Sequence, residues 1–246
     1  MDSKSDDTRI WLEDADGREV AFLEFAEEIR RRKMSRERKS APMNCDRKPT
    51  PEELLAVARS YYDRREDLVY SVKGNTFLCG GDLTDQEHGG KGRIDCSTLV
   101  HLVLQGIPFE RSPYVTGDPQ DFFLAGAAWA DREIAALFQA GMPIRKAHQL
   151  ARHFWLKGLA RSDDRWRSGD ILFFQVAPHR VNFYRSFDIF KAVYHIGIAA
   201  EDRDLMYESS GNQTAHVERN YDRPGVRLSR ILDRRRPLFY VRVTTG

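Results

Sequence analysis

Five short apolar runs crowd the last third of the chain and constrain its fold more than any other feature. They are GDILFFQV (169–176), VYHIGIAA (193–200), LMYESSG (205–211), GVRLSRIL (225–232) and PLFYVRV (237–243). Such runs, short, apolar or alternating and bounded by turn residues, read as strands rather than helices. The upstream texture differs. In TPEELLAVARSYYDRR (50–65), Leu54, Leu55, Val57, Ala58 and Tyr61 fall on one helical face. Thr50 and Glu53 have capping-box spacing, and Pro51 suits the first helical position. Residues 119–160 read as two or three further helices, AWADREIAALFQAG being the clearest. Helices followed by strands predict an α+β fold with an antiparallel sheet.

The organisation around this pattern is simple. RIWLEDADGREVAFLEF predicts a short hairpin about an Asp-Gly turn, and AEEIRRRKMSRERKSAP predicts a helix running into a basic linker. A boundary falls at Pro49–Pro51, separating an N-terminal extension (1–48) from one domain (49–246). The stretch 75–95 is a glycine-rich loop without the glycine and lysine spacing of a phosphate-binding loop. With 41% hydrophobic and 31% charged residues the chain has the composition of a globular domain, and its net charge of +2 gives no pull toward nucleic acid. Its apolar runs fall far short of the roughly 18 residues of a membrane span. Three cysteines (Cys45, Cys79, Cys96) at irregular spacing describe neither a disulfide framework nor a zinc site, so no metal is expected. The first twenty residues are acidic and polar and lack the apolar centre of a secretory signal. The localisation is therefore left open between action where the protein is made, a non-classical, phage or effector route, and a leader already removed.

Chemistry enters at GRIDCSTLVHLVLQGI (92–107). Asp95 is placed to N-cap a helix beginning at Cys96, anchored by Leu99, Val100, Leu102 and Val103 and ended by Gly106. A thiol at a helix N-terminus gains from the unpaired N–H groups, which favour the thiolate and can stabilise an oxyanion. A nucleophile also needs a base. Among the seven histidines, His101 turns to another face of the same helix, His148 and His153 sit in a basic helical stretch, and His88, His179 and His216 lie in loop-like contexts. His195 heads the strand HIGIA. Alternation sends it to one face with Gly197 and Ala199, and sends Ile196 and Ile198 to the core. The small neighbours are expected to leave room beside the histidine for a helix end or a substrate.

These residues carry a family resemblance. DCSTLVHLVLQGIPFERS resembles the DCSGLV…GI…LPRxS signature of NlpC/P60 cysteine peptidases, and SGDILFF resembles that family's pGDLvFF strand. HIGIAAEDRDLMYESSG is similar to its HVGIY…IHAS or IEAP hairpin, and TFLCGG stands where the family has PYVWGG. The order and rough spacing of the segments agree from about residue 50 onward. The resemblance implies a papain-like core with N-terminal helices packed on an antiparallel sheet. Cys96 is then the nucleophile and His195 the base, while Asp95, Ser97 and Ser112 line the subsite for the substrate's N-terminal end. It also implies a peptidoglycan stem peptide as substrate, typically cut at the γ-D-glutamyl–diaminopimelate amide, with no cofactor. Other reactions remain open on such a scaffold: thiol acyl transfer, lipid modification, or binding without catalysis.

The sequence departs from the family in several places. The third residue, usually His and sometimes Asn, Gln or Glu, falls at Tyr207 by ungapped counting and at Glu208 if the EDRD turn holds one extra residue. A carboxylate orients and charges an imidazole better than a phenol does, so Glu208 is preferred, with Tyr207 and then Asn212 as alternatives. Phe77 stands where the family has a tyrosine hydroxyl near the nucleophile, a group Tyr70 could supply, and Cys79 replaces the tryptophan. Residues 82–94, 115–160 and 176–193 read as insertions.

Overall fold

The computed structural model describes residues 11–13, 19–21, 49–72, 90–116, 146–156, 158–175, 189–211, 224–232 and 236–245. Strands β1 (Trp11–Glu13) and β2 (Glu19–Ala21) pair antiparallel, as the N-terminal hairpin predicts. Helix α1 (Pro51–Asp63) starts as its sequence dictates. The Thr50 hydroxyl accepts from the Glu53 N–H at 3.2 Å, and the Glu53 carboxylate accepts from the Thr50 N–H at 2.9 Å. Both bonds satisfy donors that a helix start leaves orphaned.

A short parallel pair follows, β3 (Leu68–Tyr70) with β4 (Gly92–Ile94). The residues at the end of the expected insertion at 82–94 are therefore a strand that delivers the chain to α2 (Cys96–Leu104). The segment GIPFERSPY opens a 3-10 turn (Phe109–Arg111) and leads into the single-turn helix α3 (Pro113–Thr116). Helix α4 (Ala147–Leu156) is one of the helices expected in 119–160. Its Leu150, Ala151, Phe154 and Trp155 recur at i, i+1, i+4 and i+5, one face of a helix, and all are buried in the main core. AWADREIAALFQAG lies outside the described residues.

The strand-rich end of the chain forms one six-stranded sheet, in the order β5 (Ala160–Arg161), β10 (Phe239–Val241), β6 (Ile171–Gln175), β7 (Val193–Ala199), β8 (Leu205–Ser210), β9 (Gly225–Arg230). Every pairing in it is antiparallel, so the class is α+β. Period-two alternation divides the sheet's side chains between two clusters. Ile171, Phe173, Ile196, Ile198, Tyr207, Val226, Phe239 and Val241 join the apolar faces of α1, α2 and α4. Leu172, Phe174, Ala199, Met206 and Tyr240 form a smaller cluster with Ile231 on the other face. The start of β6 is clamped to the end of the chain, where Arg242 donates to both oxygens of buried Asp170, Nε at 2.9 Å and Nη2 at 2.7 Å. Among the described residues, no helix is long and apolar enough to cross a membrane.

Candidate active site

The site lies where one ladder of the sheet opens. Strands β6 and β7 pair along their length and β8 pairs with β9 from Leu205 to Ser210, but β7 and β8 pair only at Ile198–Tyr207 and Ala199–Met206. Continued, that register would set Ile196 against Ser209. Instead the start of α2 enters the gap. The Ile196 backbone N–H bonds the Cys96 sulfur, and the Ser209 hydroxyl donates to the Ile94 carbonyl at 2.9 Å. Both bonds satisfy groups that would otherwise be buried without a partner. They also fix Cys96 against the residue that follows His195.

Helix α2 is built to hold that position. Asp95 Oδ1 accepts from the Thr98 N–H (2.8 Å), the Thr98 hydroxyl (2.8 Å) and the Ser97 hydroxyl (2.9 Å). At the other end Gly106, at φ +67°, allows Gly106 N–H to reach Val103 O and Ile107 N–H to reach Leu102 O, a Schellman stop. Leu99, Val100, Leu102 and Val103 are fully buried between these caps. The end of α2 that carries Cys96 is thus held from its far end by core packing.

His195 is aimed by an irregularity. Phe174 pairs with His195 and Gln175 with Val193, so Tyr194 is the extra residue of a β-bulge, and it is 47% exposed. Bulges commonly re-aim a neighbouring side chain at a functional site. The expected space beside Gly197 is not a vacancy, because a Cβ there would come within 2.8 Å of the Met206 sulfur. Cross-strand packing fills that side. Room for the helix end comes from the parting of β7 and β8 instead.

Glu208, fully buried, carries the bond to the histidine: His195 Nε2 lies 2.6 Å from Glu208 Oε2. A carboxylate only accepts, so Nε2 bears the proton of this bond, and in a neutral ring Nδ1 would hold the lone pair. The other oxygen, Oε1, accepts from Arg227 Nε and from the Ser229 hydroxyl, each at 2.8 Å. Arg227 and Ser229 are buried too, although the strand pattern of GVRLSRIL marks neither as a partner of Glu208. Tyr207 points to the opposite face, where its hydroxyl donates to Glu201 at 3.0 Å and its ring meets Tyr62 edge-on. The structure therefore brings Glu208 to His195 and sets Tyr207 apart. Ser97 and Ser112 are both buried, Ser97 at Asp95 and Ser112 at the close of the 3-10 turn. Tyr70, in register with Ile94, lies beside the approach to α2. Phe77, Cys79 and Asn212 lie outside the described residues.

The electrostatics correct one expectation. Burial, reinforced by the Asp95 and Glu208 charges, pushes the Cys96 thiol up to about 12, against the pull of the Ile196 and Ser97 N–H groups. The helix terminus does favour the thiolate, but desolvation outweighs it, so the resting group is the thiol. Burial likewise raises Asp95, while its Thr98 and Ser97 donors oppose the shift. A stability prediction follows. The folded thiol titrates above its unfolded value of about 8.5, so its contribution is complete below that pH. It is lost as pH rises from there toward about 12. Denaturant melts over this range should show a shallower alkaline decline for Cys96→Ala than for the unmodified protein.

Among the described residues no group of His, Cys, Asp and Glu could hold a metal. Comparison with protein-family models, with curated proteins and with solved structures finds no match.

Proposed function

We propose that this protein is a papain-like cysteine peptidase or amidase of the NlpC/P60 type, hydrolysing an amide bond in peptidoglycan stem peptides. The observation that carries the reading is the buried His195–Glu208 bond beside a cysteine at a helix N-terminus. Cys96 lies on α2, His195 on β7 and Glu208 on β8; the Cys96 sulfur accepts from the Ile196 N–H and feels the Glu208 charge while Glu208 bonds His195, which supports reading the three as nucleophile, base and orienting carboxylate. The substrate class rests on the resemblance of the motifs.

In the mechanism we propose, the Cys96 proton moves to His195 Nδ1 as sulfur attacks the amide carbon. The imidazolium so formed is held by Glu208 through Nε2. It returns the proton to the leaving amine, a thioester forms on Cys96, and water hydrolyses it with His195 again as base. Because the resting group is a thiol, proton transfer accompanies attack and no thiolate waits in the site. Asp95 then has two roles, capping α2 and offering its charge to the free α-amine of a stem peptide.

The test is digestion of purified peptidoglycan fragments with products read by mass spectrometry. The expected outcome is a new amine on diaminopimelate and a new carboxylate on γ-D-glutamate, both absent with Cys96→Ala. Intact fragments, or identical cleavage by Cys96→Ala, would refute the proposal.

A further inference from the structure

We propose that Arg227 is a positioning residue for this site: it locks Glu208 and cancels its charge, so that His195 stays neutral and able to take the Cys96 proton. The proposal rests on reading Cys96, His195 and Glu208 as a triad, and it assigns a fourth residue that the motifs do not mark.

Arg227 is 1% exposed and Glu208 and Ser229 are fully buried. A guanidinium is always charged, so its place in the interior needs an anion, and Glu208 supplies one at 2.8 Å. Strand register makes the meeting unavoidable, because Glu208 lies directly opposite Arg227 on β9. Arg227 and Ser229 both bind Oε1, leaving Oε2 for His195. The carboxylate is thereby fixed in rotation as well as in place.

The charge count gives this geometry its consequence. With Arg227 present, thiol, neutral imidazole, carboxylate and guanidinium sum to zero, and moving the proton from Cys96 to His195 keeps the sum at zero. Without Arg227, a bare buried carboxylate would hold His195 as imidazolium, and the base would already be occupied at neutral pH. Cys96 on α2 feels both Glu208 and Asp95. Strand β6 presents Phe174 to His195, an apolar ring, and the bulge places Tyr194 beside it. Helix α4, with His148, Arg152 and His153, packs on the opposite face of the sheet through Phe154 and Phe173.

The experiment follows the imidazole of His195 by proton NMR, assigned with His195→Asn, together with the pH profile of kcat/KM. Arg227→Met should raise the His195 titration midpoint, and the acid limb of the profile with it, by about one to three pH units. Adding Glu208→Gln to that variant should bring the midpoint back to the unmodified value or below it. Arg227→Lys keeps the charge and loses the fork, so the midpoint should stay in place while kcat falls and KM does not. A folded Arg227→Met with an unmoved midpoint overturns the proposal. If that variant does not fold, Arg227→Lys with undiminished kcat overturns it instead. The NMR arm needs no substrate. Absence of hydrolysis by the unmodified protein would therefore sink the peptidase reading alone, while an active enzyme whose histidine ignores Arg227 would sink this one alone.

Discussion

Glu208→Ala should be the most damaging single change to this protein, in stability as well as activity. It removes the buried carboxylate that both Arg227 and His195 bond. Breaking a buried ion pair from one side costs about 3–5 kcal/mol. That is a large share of the roughly 5–15 kcal/mol that holds a typical domain together. At about 2–4 °C per kcal/mol for a chain of this size, the melting temperature should fall by roughly 6–20 °C. Glu208→Gln should be gentler on the fold, since its carbonyl oxygen can still accept one of the bonds. Its activity should drop by about four orders of magnitude, the scale seen when the carboxylate of a triad becomes an amide and the imidazole tautomer is lost. Scanning calorimetry and initial rates on stem peptides would read the two effects separately.

His195→Asn should act on rate with little effect on the fold. The side chain is buried, but asparagine keeps a polar group that can bond Glu208. With no base to take the thiol proton, kcat should fall by about two to four orders of magnitude. A thiol titrating near 12 makes the dependence on the base strict, because the sulfur has almost no intrinsic thiolate at neutral pH. Rates for this variant should keep rising with pH, where those of the unmodified protein should level off. A plateau shared by both proteins would mean that another group accepts the proton.

Much of this arrangement is legible in the sequence, for physical reasons. Capping is local, so Thr50 with Glu53, and Asp95 ahead of Cys96, announce their helices within four residues. Strand alternation is local too, and it places Ile196 and Ile198 in the main core. Glu208 and Tyr207 are neighbours, so chemistry rather than counting favours Glu208 as the partner of His195; the turn between their strands is closed by Ala200 N–H to Leu205 O. Features that depend on two distant segments were not legible. Arg227 and Ser229 alternate with Val226 and Leu228, a pattern that normally marks a solvent face, and only pairing with β8 reveals them as buried partners of a carboxylate. Nor does any residue announce that β7 and β8 part after Ile198. At the parting, α2 offers an acceptor sulfur to Ile196 and the end of β4 offers the Ile94 carbonyl to the Ser209 hydroxyl. The same holds for the thiol, whose position at a helix start is visible in the sequence while the burial that dominates its titration is not.

The central claim is that Cys96 forms the covalent intermediate, and the most direct measurement is the intact mass of the protein acid-quenched during turnover of a stem-peptide fragment. The account predicts a mass gain equal to the acyl half of the substrate, located on the peptide containing Cys96, released by hydroxylamine and absent from Cys96→Ala. Full turnover by Cys96→Ala, or an acyl group found on any other residue, would contradict it.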